Sequence, residues 1–250
     1  MTVTVVVPVY NRSAYIETCL RSLLRHAETV RLDILVIDDG SDDDGPEKVA
    51  RLAERHPEIR LVRQKNMGVV ATRSRSRTLL LPETEFVTFL DSDDTSPPGS
   101  FHEQLSVFTR SPEIQFTYGL LELTRAIDDA TGLPAPGAET VVVRGVSLSA
   151  AMFRRPFFDS LGDFDLELQH GEDLDFLLRA IELDVPCRRT DVVCCIYRRH
   201  DDNMTNDIQA SRRYFLLALH KALRRRRANP RLVDATSFFD IRALQDSKVL

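Results

Sequence analysis

Two short acidic runs hold the residue types best suited to chemistry. One is DSDD (residues 91–94), which directly follows the β-prone stretch EFVTFL; the other is GEDLDF (residues 171–176), which opens an apolar helical pattern. Asp91 and Asp93 are two apart, so on an extended segment they face the same side. Two converging carboxylates make a hard-oxygen site that suits Mg2+ or Mn2+, and a bound cation relieves their mutual repulsion. Magnesium usually takes one or two protein carboxylates plus the oxygens of a substrate phosphate. The spacing therefore predicts a phosphate-bearing ligand. In the second run, Glu172 and Asp173 fall in the first turn of a helix, where the helix dipole alone favours acids by about 0.3–1 kcal/mol. The apolar residues behind them, Phe176, Leu177 and Ile181, would press that helix end onto the core. A carboxylate fixed beside a metal–phosphate site can act as a general base. A third acidic run, DDGSDDDG (residues 38–45), is rich in turn formers. It does not meet the spacing of an EF-hand calcium loop, which needs a glycine at position six and a glutamate at position twelve.

The elements that must position these acids are legible from hydrophobic pattern. VTVVVPVY (residues 3–10) is a continuous β-branched run, the mark of a strand buried on both faces in a parallel sheet. A helix follows from about Ser13, read as its N-cap, with Ile16, Cys19, Leu20, Leu23 and Leu24 at one-face spacing. LDILVID (32–38), IRLVRQ (59–64) and EFVTFLD (85–91) read as further strands, separated by a helix that opens at Pro46 and one over residues 68–81. Strand and helix alternating through short links implies βαβ units and a doubly wound sheet. On such sheets ligands bind outside the carboxyl ends of the strands, which puts the 38–45 and 91–94 runs on one rim. After Pro97 and Pro98 the pattern changes. A helix over 101–109, a strand at IQFTYGLLEL (114–123), a loop or hairpin tip over 128–140 and a helix-like VSLSAAMF (146–153) are expected. They are followed by the 171–183 helix, a strand at DVVCCIYRR (191–199) and an amphipathic tail helix ending in Arg224, Arg225, Arg226 and Arg227.

Composition narrows the class. The chain has 250 residues, 43% apolar and 28% charged, an ordinary globular balance. A net charge of −5 argues against a general nucleic-acid binder and leaves room for an acidic, cation-using site. No apolar run approaches the ~20 residues of a membrane span, and residues 1–10 lack the features of a signal peptide, so the default location is cytoplasmic. Cys19, Cys187, Cys194 and Cys195 have no metal-clip or disulfide-framework spacing and read as buried thiols.

Taken in order, VVVPVYN, VIDDGSDD, NMGVVATRS, FLDSDD and GEDLDFLLR resemble the motif set of the inverting family 2 glycosyltransferases with a GT-A fold, over residues 2–200. FDSLGDFDLEL, just before the last motif, resembles that family's lead-in. The resemblance implies a Rossmann-like, mostly parallel α/β sheet flanked by helices. It implies a nucleotide-sugar-binding half at residues 1–98, an acceptor-binding and catalytic half at 99–205, and a helical tail at 206–250. It also implies transfer of a hexosyl or N-acetylhexosaminyl group from a nucleotide-sugar, UDP-linked by preference, to a carbohydrate, lipid-linked or small-molecule hydroxyl, with inversion. Pro8, Val9 and Tyr10 would cradle the base, Asp39 would bond the uracil or ribose, and Arg73 would lie near the nucleotide. Asp91 would face the ribose, Ser92 would line the donor site and Asp93 would hold Mn2+ or Mg2+ on the diphosphate. Asp173 would deprotonate the acceptor, Glu172 would orient it, and His200, after the strand that follows the base helix, is a second candidate metal ligand.

Departures from the family pattern sit at Thr72–Arg73–Ser74, where relatives often have Ala-Arg-Asn, and over Met67–Val70, which is bulkier than the usual glycine-rich version. The pattern leaves Asp94 open as an alternative metal contact. A nucleotidyltransferase on a similar sheet would also pair acids with a metal, but it would usually carry an early glycine-rich basic loop; PVYNRS has one Arg and no Gly. A non-catalytic nucleotide-binding module would not need Asp173. The 224–227 arginines could meet an anionic membrane surface or a polyanionic acceptor, or merely complement a helix C-terminus. Residues 228–250 have little pattern and are left to pack on the sheet or to form a homodimer arm.

Overall fold

The computed structural model describes residues 1–235 and Phe238. The strands are β1 (Thr2–Val9), β2 (Arg31–Asp38), β3 (Ile59–Arg63), β4 (Phe86–Phe89), β5 (Phe116–Thr124), β6 (Ile127–Asp128), β7 (Leu133–Pro134), β8 (Thr140–Val143), β9 (Ala151–Arg154) and β10 (Cys187–Arg198). The helices are α1 (Ile16–Leu24), α2 (Gly45–Ala53), α3 (Val69–Leu79), α4 (Ser100–Arg110), α5 (Arg155–Ser160), α6 (Glu172–Glu182) and α7 (Ile208–Ala228). One sheet runs β10-β5-β9-β4-β1-β2-β3, with β8 paired to β5, while β6 and β7 form a separate hairpin. The pairs β1–β2, β1–β4, β2–β3 and β5–β10 are parallel; those involving β8 and β9 are antiparallel. The sheet is thus mixed with a mostly parallel frame, as the βαβ pattern predicts.

Every residue of β1 is buried, and so is all of β2 after Arg31. That is why these strands read as unbroken β-branched runs rather than alternating ones. Register sets the rim. Val9 lies opposite Asp38, and Phe89 lies opposite Val6. The β1–β4 ladder stops there, two residues short of Pro8, which has no N–H to continue it. β4 is therefore released from the sheet at the point where DSDD begins.

Three expectations need correction. Ser13 does not cap α1, which starts at Ile16 after an uncapped Tyr15; the Ser13 hydroxyl is instead engaged by Asp44 and by Lys48 Nζ at 2.7 Å. The helix-like segment 146–153 is a single 3-10 turn at Leu148–Ala150 followed by β9, inserted antiparallel between β4 and β5. An Ala-Met-Phe run this short has no decisive period, and the open hydrogen-bonding edges of two neighbouring strands outweigh a weak helical preference. Thr140 is not in the loop but begins β8, whose TVVV sequence suits an edge of β5. The hydrophobic pattern does not predict α5, a helix of only six residues.

Cys19, Cys194 and Cys195 are buried, Cys187 is half-buried, and all four are free thiols. Among the described residues no helix is long and apolar enough to cross a membrane. Residues 236, 237 and 239–250, and with them most of the suggested dimer arm, lie outside the described set.

Candidate active site

The 38–45 and 91–94 runs meet at the carboxyl ends of β1, β2 and β4, as the fold argument requires. α6 brings its N-terminus to the same place. Gly171, in the left-handed region at φ 78°, turns the chain into α6, whose first residues Glu172 and Asp173 meet Arg73.

Arg73 joins the two sides. Its side chain is only 4% exposed. Nη2 donates to Asp91 Oδ1 at 2.6 Å, while Nη1 donates to Glu172 Oε1 at 2.5 Å and to Asp173 Oδ1. Burial works against the Arg73 charge, but Asp173, Asp91 and Glu172 outweigh it and hold the guanidinium firmly charged. Asp173 is anchored a second time, its Oδ2 accepting from the Leu148 amide at 3.0 Å. Leu148 belongs to the turn just before β9, so the unexpected strand is part of the scaffold that fixes Asp173.

One guanidinium cannot neutralise three carboxylates. Burial pushes Glu172 up to about 8, with Asp173 and Asp91 adding to the rise and Arg73 opposing it. A carboxyl raised in this way keeps its proton in the folded protein where the unfolded chain has lost it. Its contribution is therefore present at low pH and is lost as pH rises from 4.5 to about 8. Glu172→Gln, a neutral isostere, removes that slope. The melting temperature of the variant is expected to match wild type below pH 4.5 and to exceed it by a margin that grows up to about pH 8 and is constant above it. A constant difference across a pH series would show that Glu172 does not carry the proton.

Asp93 takes a different set of partners. His200 Nε2 lies 3.0 Å from Asp93 Oδ2, and Arg12 Nε donates to the same oxygen at 3.2 Å. Burial would raise this carboxyl, but His200 and Arg12 outweigh it and keep it below the ordinary carboxylate range. His200 is held by stacking on Tyr15 at 4.9 Å between ring centroids, and its Nδ1 accepts from the Asp202 amide at 3.2 Å. Asp91 and Asp93 thus have different protein partners. Asp91 has Arg73, and Asp93 has Arg12 and His200.

Asp94 points into the core. It is 1% exposed, with Oδ1 accepting from the Arg198 amide at 2.9 Å and Oδ2 beside Cys195 Sγ at 3.5 Å. Burial, then the charges of Asp93 and Asp91, pushes it well above the usual range. Arg198 Nε in turn holds the Asp93 carbonyl at 3.0 Å. Asp94 thus ties the end of β4 to the end of β10 and is not available as a metal contact.

Of the other residues singled out in the sequence, Pro8 and Val9 end β1, Ser92 is buried and Tyr10 is 43% exposed. Asp39 is buried with both oxygens occupied. It accepts from Gln64 Nε2 at 2.7 Å, the Met67 amide at 2.9 Å and the Gly68 amide at 2.8 Å, closing the approach to α3. Gly40 is required next to it: φ is +79°, and a Cβ would come within 2.8 Å of the Asn66 amide. The structure adds residues that motif reading passed over: Arg12, Gln64, Leu148 and Arg198. Gln64 carries a positional signal, since it is the first residue past the carboxyl end of β3 and so belongs to the same rim. Leu148 acts through its backbone and carries no sequence signal.

With this geometry in place, the comparisons are direct. Residues 4–120 match the model of the family described as glycosyl transferase family 2. Over those residues, just under half of the chain, the sequence resembles the family 2 glycosyltransferases. Chondroitin synthase of Escherichia coli is 27% identical over 209 residues, 80% of this chain and 29% of that protein. The uncharacterized glycosyltransferase YibD of Escherichia coli K12 is 33% identical over 104 residues, 42% of this chain and 29% of that protein. The chain thus spans less than a third of the length of these two relatives. Among solved structures, the mannosyltransferase PcManGT of Pyrobaculum calidifontis, in complex with GDP-Man and Mn2+, aligns with a TM-score of 0.66 at 19% identity, covering 89% of this chain and 64% of that one. Residues 1–349 of TarS of S. aureus, in complex with UDP-GlcNAc, align with a TM-score of 0.62 at 19% identity, covering 87% and 65%. The chain therefore has the GT-A fold of these neighbours.

Proposed function

We propose that this glycosyltransferase moves a sugar from a nucleoside-diphosphate sugar, uridine-linked by preference, to a hydroxyl acceptor with inversion at the anomeric carbon. The observation that supports the reading is the Arg73 bridge, which gathers Asp91 from the end of β4 and Glu172 and Asp173 from the start of α6 on one guanidinium. In this reading residues 1–98 bind the donor, and residues 99–205 supply the acceptor side and the base. Asp173 accepts the acceptor's hydroxyl proton as the oxygen attacks the anomeric carbon. The bond from that carbon to the phosphate oxygen breaks, and its electron pair leaves with the nucleoside diphosphate. Attack from the face opposite the leaving group inverts the centre. Glu172, buried against Arg73, positions the guanidinium that holds Asp173.

The residues present fit a divalent cation. A carboxylate oxygen and an imidazole nitrogen meet at 3.0 Å, and a guanidinium is already drawn to the same oxygen. That donor pair suits Mn2+ and is compatible with Mg2+. Asp93 and His200 would hold the ion, which when bound offsets the charge developing on the diphosphate. PcManGT, a neighbour in fold, is described with GDP-Man and Mn2+, and TarS with UDP-GlcNAc.

Nucleotide binding that depends on metal is the direct test. A ligand that binds only the folded state raises the melting temperature through mass action. UDP, GDP and dTDP are each added with and without Mn2+. The expected result is a shift with at least one nucleotide that requires the metal and is lost in both Asp93→Ala and His200→Ala. No shift with any nucleotide would overturn the reading, and a metal-dependent shift that survives both substitutions would move the cation elsewhere.

A further inference from the structure

α7 is 21 residues long with seven Lys or Arg, one His and no Asp or Glu. The fold sorts those cations into two groups. Lys221 is paired with Asp165 at 2.6 Å and Glu167 at 2.5 Å, Arg225 with Asp175 at 2.6 Å and Glu182 at 2.8 Å, and Arg226 with Asp234 at 2.7 Å. Asp175 and Glu182 are buried on α6, so these pairs dock α7 on the body and hold its rotation. Ala218 and Ala222 are buried on the same inner side. The remaining cations, Arg212, Arg213, Arg224 and Arg227, are all exposed. Arg213 lies over its neighbour Tyr214 at 5.7 Å, and no acid of α7 opposes any of the four.

The outward face is not only basic. Leu216 is 64% exposed and Leu223 46%, and the exposed His220 lies between them. At 100° per residue, positions 209, 212, 213, 216, 220, 223, 224 and 227 fall within about a third of the helix circumference, which places them on one face. At 1.5 Å per residue the helix is about 30 Å long. Cations interleaved with exposed leucines along one helical face are what an anionic lipid surface attracts: the charges meet headgroups while the apolar side chains enter the interface.

We propose that the outward face of α7 is a docking surface for an anionic phospholipid bilayer, with Arg212, Arg213, Arg224 and Arg227 as the electrostatic contacts and Leu216 and Leu223 as the inserted ones. Two other occupants fit less well. A soluble polyanion would use the arginines and leave both leucines in water. A second copy meeting this face through a two-fold axis would set four arginines against four. The surface does not depend on the proposed transfer chemistry, and either reading can fail without the other.

The test uses the full chain and sedimentation with lipid vesicles. One set is phosphatidylcholine alone; the other includes roughly a third phosphatidylglycerol. The expected result is binding only to the anionic vesicles, weakened by high salt. Neutralising two arginines as R224Q/R227Q should reduce partitioning about 30-fold, taking about 1 kcal/mol per basic residue. R51Q/R55Q removes the same charge from exposed positions at the end of α2 and should leave partitioning within about twofold. L216S/L223S should reduce binding without changing charge. All of these side chains are exposed, and melting curves check that the variants fold. No binding to anionic vesicles overturns the proposal. So does equal loss in the R51Q/R55Q control. Binding untouched by L216S/L223S reassigns the face to soluble polyanions, and a dimer in light scattering that L216S/L223S dissolves reassigns it to a second copy.

Discussion

Asp173→Asn is expected to lower turnover by about 10³-fold while leaving the metal-dependent nucleotide shift in place. The two readouts separate because Asp173 pairs with Arg73 and takes no part in the Asp93–His200 contact. The side chain is 17% exposed, so an amide of the same size fits. It is a poor mimic in hydrogen bonding. Asp173 accepts from Arg73 and from the Leu148 amide, and an asparagine must turn its NH2 toward one of these donors. A modest fall in melting temperature should therefore accompany the lost turnover, and Asp173→Glu, which keeps the acceptor character, serves as its control. Turnover within a few-fold of wild type would remove Asp173 from the role of base. Loss of the nucleotide shift together with turnover would instead mean that the whole cleft had collapsed.

Arg73→Met should be the most destabilising single substitution in the cleft. It leaves Asp91, Glu172 and Asp173 without their shared cation, two of them buried or nearly so. Breaking a buried ion pair by removing one partner typically costs 3–5 kcal/mol, which for a chain of this size is a fall of about 10 °C in melting temperature. The sign of the pH dependence identifies the cause. In Arg73→Met, acidification protonates the stranded carboxylates, so the deficit should shrink between neutral pH and about pH 5. Arg73→Lys keeps the charge but offers a point donor in place of the planar fork that reaches both sides of the cleft. It should recover part of the stability and little of the turnover. A pH-independent loss of only a degree or two would mean that Arg73 fills space and does not balance charge.

How far these features can be read from the chain differs by element. β1, β2 and β4 are legible because strands buried on both faces leave a signal that needs no partner: a run of β-branched residues with a polar break at its end. α6 is legible because Glu172 and Asp173 precede a dense apolar run of helix-forming residues. β9 is not. Its four residues acquire strand character from β4 and β5, which are remote in sequence. Within the cleft, residue types and rim position identify Asp91, Asp93 and Asp173, but not their partners. The extended segment expected at 91–94 is a turn, closed by the Asp94 amide on the Asp91 carbonyl at 3.0 Å, so alternation does not sort the three acids; only the fold shows that Asp94 faces the core, where Arg198 and Cys195 meet it. Arg73 is legible as a basic residue near the nucleotide. Its burial, and its three carboxylate partners on two other elements, depend on long-range packing that no local pattern encodes.

The tie between Asp94 and Arg198 has a consequence for the time at which this site comes into being. Asp93 is met by Arg12 from the start of the chain and by His200 from just beyond β10, and His200 reaches it only once β10 has been laid on β5 with its two register irregularities in place. A nascent chain that has released β1 to β4 already holds the buried strands and the acidic run, yet lacks the imidazole, the Arg198 brace and the α6 acids. The Asp93–His200 contact thus cannot form before the chain has been made through β10. Metal-dependent nucleotide binding would report completion of the whole sheet, in a way that helical content or burial of the first strands cannot.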